Sequence, residues 1–174
     1  MHRRFFLIGA AALAACSPAP QSRGSSKPGP ATSAATTAAV DDPAAIIRPI
    51  YAPYLANNTD VSLPDLKDAA PWSASLREAI VAMEARSDQD ESGEGLDFDP
   101  IVNAQDWQLS NFNVAAEGVV AQSHAVVRAS FLNGGAQQDV MYDLIWESSG
   151  WRIDNMRSGG PPDGWDLRQL LSGK

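Results

Sequence analysis

The sequence predicts an α+β domain in which N-terminal helices pack on an antiparallel sheet of about four strands and a short helix closes the chain. Three observations carry this expectation. Apolar residues recur at helical spacing as far as Arg86. Beyond Pro100 the period changes to alternation. Glycine- and asparagine-containing turns then cut the alternating part into strand-sized pieces.

Asp41-Asp42-Pro43 offers an N-cap followed by a proline suited to the first helical position, and Ile46, Ile47, Ile50, Tyr51, Tyr54 and Leu55 follow at helical spacing. Pro49 and Pro53 are expected to break or kink that helix after its first turns. A second helix starts at a serine cap, Ser73 or Ser75. It presents Leu76, Ala79, Ile80 and Met83 on one face and Arg77, Glu78, Glu84 and Arg86 on the other. In the alternating half, Phe112, Val114 and Ala116 mark a first strand, Glu117-Gly118 reads as a tight turn, and Val119 to Leu132 as a long second strand with two plausible faces. Asn133-Gly134-Gly135 is a hairpin signal. Val140, Tyr142, Leu144 and Trp146 alternate next, Ser148-Ser149-Gly150 turns, and Trp151, Ile153 and Asn155 mark the last strand. Trp165 to Leu171 reads as the closing helix.

The N-terminus belongs to export rather than to the fold. Met1 to Arg4 is a basic head, and Phe5 to Ala15 is an apolar run too short to cross a bilayer as a helix. Leu13-Ala14-Ala15-Cys16 resembles the lipobox of bacterial lipoproteins, which implies cleavage of residues 1–15 and acylation of Cys16. That also explains a lone cysteine in an exported chain, which has no partner for an internal disulfide. More than one acyl chain makes such an anchor stable, at about 0.8 kcal/mol per buried methylene. By the same resemblance Ser17, in place of Asp, favours delivery to the outer membrane, facing the periplasm in a Gram-negative cell. Arg3-Arg4-Phe5-Phe6-Leu7 also resembles a twin-arginine signal, so the export route stays open. Residues 16–40 are Ser, Ala, Thr, Pro and Gly almost throughout and read as a flexible tether, because they carry too little apolar surface to offset the entropy of ordering. Residues 41–174 are then one domain. Loss of Arg3 and Arg4 leaves eleven basic against twenty-one acidic side chains, a net charge of −10. This argues against nucleic acid and against adhesion to anionic lipid.

The stretches DFDPIVNAQDW (Asp97 to Trp107), VVRASF (Val126 to Phe131) and GWRIDNM (Gly150 to Met156), followed by a terminal helix, resemble an uncharacterised family of small bacterial exported proteins. That family is assigned the cone-shaped, nuclear transport factor 2-like fold. The resemblance implies helices packed on a curved antiparallel sheet with an apolar pocket between them. It implies no reaction.

Several side chains are candidates for function, each with a plainer structural reading beside it. His124 is the only histidine after cleavage and shares a strand face with Arg128. Paired with Asp143 or Asp154 it could transfer protons, while the plainer reading is a surface histidine on a polar strand face. Counting Asp88 as the first of twelve residues places Asp90, Ser92, Gly93 and Asp99 at the third, fifth, sixth and twelfth positions of a calcium loop. Gly95 at the eighth place, a twelfth residue shorter than Glu, and Pro100 depart from that pattern, and the plainer reading is a solvated acidic loop. Asp97, Asp99, Gln105 and Asp106 make either a polar rim or ordinary turn and cap acceptors. Trp146 and Trp151 fit a core, whereas Trp107 and Trp165, near element ends, suit a pocket mouth.

No nucleophile elbow, phosphate loop, zinc spacing or cysteine pair occurs, so no cofactor other than calcium is expected. The first expectation is therefore a lipid-anchored domain that binds a small molecule or an envelope partner in its concave face, with Trp107, Trp165, His124 and Arg128 as candidate contacts. An enzyme using His124 with a carboxylate comes second, and a calcium-tuned scaffold or adhesion module third.

Overall fold

The computed structural model describes residues 42–56, 62–88, 96–148, 150–159 and 164–173. The signal segment, Cys16, the tether, and Asp90 and Ser92 of the acidic run lie outside the described residues.

Asp42 starts the domain by accepting a hydrogen bond from the Ala44 N–H at 3.0 Å, with Pro43 at the first helical position. A 3₁₀ turn, Pro43–Ile46, leads into helix α1, Arg48–Leu55. Pro49 falls in the first turn of α1, where no N–H is needed, and Pro53 lies inside the helix, which ends two residues later. The prolines thus shorten α1 more than they break it. Helix α2, Ala74–Ser87, is capped by Ser73, whose Oγ accepts from the Leu76 N–H at 3.0 Å. It buries Leu76 and Ile80 and sets Ala79 and Met83 against the core.

The strands are β1 (Leu109–Val120), β2 (His124–Asn133), β3 (Ala136–Glu147), β4 (Gly150–Ser158) and β5 (Trp165–Asp166), an open antiparallel sheet in sequence order. Burial alternates along β2 and β3, whereas Ala116 on β1 is exposed, and on β4 a bulge between Ile153 and Asn155 buries Met156 in place of Asn155. On β2, Ala125, Val127, Ala129 and Phe131 are buried while His124 and Arg128 face away. At the β2–β3 hairpin Gly134 and Gly135 take φ of 57° and 87°, the conformation a two-residue primed turn demands.

Two element assignments are also corrected. Glu117-Gly118 is a bulge within β1, marked by a register shift between Ala116 and Gly118, and the turn comes later, closed by the Ser123 N–H donating to Val120 O at 3.1 Å. The ladder to β2 stays in pairing through the extra residue, so a turn signal is spent on a bulge. Trp165 and Asp166 do not open the closing helix. They extend as β5, pairing Trp165 with Ser158 and Asp166 with Arg157, because Asp166 is the N-cap of helix α3, Leu167–Ser172, and an N-cap residue keeps extended dihedrals. The sheet accordingly has five strands rather than four.

The core gathers Ile47, Tyr51 and Tyr54 from the first helical segments, Leu76 and Ile80 from α2, and Leu167 and Leu171 from α3, together with the buried side of β2, β3 and β4. Among the described residues no helix is long and apolar enough to cross a membrane.

Candidate ligand-binding cleft

Residues 62–73, before α2, are held to the domain by Trp72. Its indole is fully buried, its N–H donates to Asp65 O at 2.8 Å, and the backbone on either side pairs with β4 through Ser73 N to Ile153 O (2.8 Å) and Ile153 N to Pro71 O (3.0 Å). Asp65 makes a local turn, its Oδ1 accepting from the Lys67 N–H at 2.8 Å and its carbonyl from the Asp68 N–H at 3.1 Å. Residues 63–67 thus become one fixed wall of a cleft, and one side of α2 is the other.

The cleft has a volume of about 590 Å³, within the range of small-molecule sites. Its floor is apolar, with Leu66, Ile80, Met83 and Leu96, and Leu63 stands exposed at its edge. Asp65, Lys67, Glu84, Ser87 and Asp88 form the rim. Lys67 Nζ reaches Glu84 Oε1 at 2.9 Å from the opposite wall, and Glu84 holds the lysine ammonium above its ordinary pKa. Both side chains are half exposed, so solvent screens this pair and it adds little to stability.

A second polar feature is closed. Tyr51 donates to Ile101 O at 2.8 Å and accepts from Tyr142 at 2.8 Å, while Tyr54 donates to Asp99 Oδ2 at 2.5 Å. Asp99 Oδ1 accepts from the Ile101 N–H at 2.8 Å, a turn that the short Asp side chain makes with its own backbone. Burial pushes all three tyrosine hydroxyls up, so they stay protonated. Burial also raises the Asp99 carboxyl, and the hydrogen bonds from Tyr54 and Ile101 only partly offset it. A carboxyl raised on folding contributes stability that is present below its unfolded pKa and lost as pH rises through the folded value. Relative to Asp99→Asn, the wild-type chain is therefore expected to gain melting temperature as the pH falls from about 7 to about 4. A constant difference between the two melting curves would show that Asp99 ionises as freely as in the unfolded chain.

The four expected ligand contacts are not brought together. Trp107 packs edge-on against Tyr54 with ring centroids 5.4 Å apart, and Trp165 lies 5.3 Å from Phe98 and donates to Asn103 Oδ1 at 2.6 Å. Both serve to close the 96–107 segment over the core. His124 and Arg128 stand on the opposite side of the sheet because strand alternation gives them the parity contrary to Phe131. Arg128 pairs there with Glu117, and His124 meets Ser123 Oγ at 3.4 Å. Nor do the proposed carboxylates turn toward His124. Both oxygens of Asp143 accept from Arg157, at 3.1 and 3.0 Å. Asp154 accepts from Ser73, Ser75 and Arg168 at 2.6 to 2.7 Å; burial opposes its ionisation, but those hydrogen bonds and the arginine charge hold its carboxyl below the usual value.

Of the calcium-loop positions, Asp99 has both oxygens committed inside the domain and Asp88 lines the cleft, while Asp90 and Ser92 lie outside the described residues. Among the described residues no three His, Asp or Glu side chains are grouped to hold a metal ion. The face of the sheet expected to be concave carries the packed rings of Tyr51, Phe112, Phe131 and Tyr142. Among the described residues an opening lies beside α2. Leu66, Lys67 and Met83 were missed by sequence reasoning; of these, only Met83 carried a signal, its place on the apolar side of α2.

No protein-family model and no curated protein matches this sequence. Among solved structures, the chain is similar at a TM-score of 0.33 and 11% identity to a phospholipid-binding protein from Ralstonia solanacearum, determined in complex with a phospholipid. The similarity covers 78% of this chain, which spans 62% of that protein's length.

Proposed function

We propose that this chain is a lipid-anchored protein of the cell envelope, held through Cys16 and built on the cone-shaped fold its sequence resembles, whose domain binds the apolar part of a small molecule between residues 63–67 and α2. The observation that carries the reading is the cleft itself: an opening of about 590 Å³ with a floor of Leu66, Ile80, Met83 and Leu96 and a narrow polar rim. Apolar floors of this size give affinity through surface removed from water, at about 25 cal/mol per Å². The lipobox around Cys16 supports the anchor, and the serine after it supports the outer membrane.

Titration of the full chain with Nile red, an uncharged apolar dye, tests the cleft. Saturable binding is expected, weakened about tenfold in Met83→Trp, which fills the floor without changing charge. Met83 is only partly buried, so the variant is expected to fold, and its circular dichroism checks that. Equal dye binding by a folded Met83→Trp variant would remove the cleft as the site.

A further inference from the structure

The rim of the cleft is predominantly of one sign. Three carboxylates, Asp65, Glu84 and Asp88, line it with a single ammonium, that of Lys67. The one cation present shows what the rim accommodates: Lys67 lays its ammonium on Glu84 across the cleft, at 2.9 Å. Its wall is held by Trp72 and the Asp65 turn, whereas the lysine side chain itself is half exposed. An exposed pair of this kind is readily exchanged for another.

We infer that the cleft is selective for an amphiphile whose polar end is an amine or ammonium group, its apolar part on Leu66, Ile80 and Met83 and its head on Glu84, in the place Lys67 takes. This deepens the proposed function and rests on it. The physical reason is complementarity at the rim. A cationic head exchanges for Lys67 and gains the attraction of Asp65 and Asp88, a neutral head gains neither, and an anionic head meets one ammonium, Lys67, already paired with Glu84, among three carboxylates. Because the rim is exposed, the selectivity fades as salt shortens the screening length.

The test compares three ligands with the same tail, dodecylammonium, dodecyl maltoside and dodecanoate, by calorimetric titration of the full chain below their micelle concentrations. Dodecylammonium is expected to bind about three- to tenfold more tightly than the maltoside, with dodecanoate weakest. Glu84→Gln with Asp88→Asn should bring the ammonium ligand to the affinity of the neutral one. Glu117→Gln with Asp106→Asn removes the same charge away from the cleft and should leave the preference intact, which separates the rim from the general acidity of the chain. Equal affinities, a preference for dodecanoate, or a preference surviving in the Glu84/Asp88 variant overturns the inference and leaves the apolar cleft standing. Binding of none of the three, or binding unaffected by Met83→Trp, overturns the cleft reading and the inference with it.

Discussion

Replacing Trp72 with alanine is expected to destabilise the domain by about 3–5 kcal/mol, the range for deleting a buried large aromatic side chain. The indole is fully buried, and it is placed by backbone bonds on both sides, from Ser73 N to Ile153 O and from Ile153 N to Pro71 O. The surroundings are therefore ill suited to collapsing into the space left. Against a total of about 5–15 kcal/mol for a domain, this is a large share, visible as a fall in melting temperature on the order of 15 °C. Trp72→Phe separates packing from anchoring. It keeps most of the apolar volume but removes the donor to Asp65 O, a loss of about 1 kcal/mol, since that carbonyl still accepts from the Asp68 N–H. The wall of the cleft should loosen, and Nile red binding should weaken more than stability falls. A Trp72→Ala chain melting within a few degrees of the wild type would mean that the indole is not a core residue.

Tyr51 carries the second large effect. Its ring lies 4.6 Å from that of Phe112 and 5.5 Å from that of Phe131, and Tyr51→Ala is expected to cost about 3–5 kcal/mol. The hydroxyl contributes separately and asymmetrically. Since Tyr51 donates to Ile101 O, Tyr142 must donate to Tyr51. Tyr51→Phe thus deprives both Ile101 O and the buried Tyr142 hydroxyl of a partner, at about 1–3 kcal/mol, while Tyr142→Phe leaves Tyr51 its acceptor and costs about 0.5–1.5 kcal/mol. The double Phe variant should cost less than the sum, because removing both hydroxyls leaves no orphaned donor. Urea unfolding of the three variants reads these differences. Equal costs for the two single variants, or strict additivity, would show that the hydroxyls do not act as a chain.

Much of the fold was legible because it is local. Ser73 is followed by a helix face of Leu76, Ile80 and Met83, and Asn133-Gly134-Gly135 can hardly do other than turn, so both elements stand where the sequence placed them. The misreadings have a common origin. Glu117-Gly118 is chemically fit for a turn and for a bulge, and only the continuing ladder with β2 selects the bulge. Trp165 and Asp166 precede a helix in either reading, and pairing with β4 makes them a strand.

The candidate site was less legible than the fold. Leu63 and Leu66 lie among Pro64, Asp65 and Lys67 with no period, so nothing nearby marks them as a wall. Lys67 and Glu84 are 17 residues apart, and Tyr51 and Tyr142 are 91 apart. Trp107 and Trp165 were sought as ligand contacts because free rings suit a pocket mouth, yet Tyr54 and Phe98 occupy those rings.

The sequence by itself determined the α+β class, the serine-capped start of α2, the turn between β2 and β3 and the acidic balance, because periodicity and turn chemistry are properties of neighbouring residues. Only the tertiary structure decided where an opening remains. The rings of the helices and strands pack on the face of the sheet, and the Trp72 anchor sets residues 63–67 apart from α2, leaving the space there. Whether a face of apolar residues becomes core or cleft depends on what side-chain volume arrives opposite it, and that is settled by packing between residues far apart in the chain.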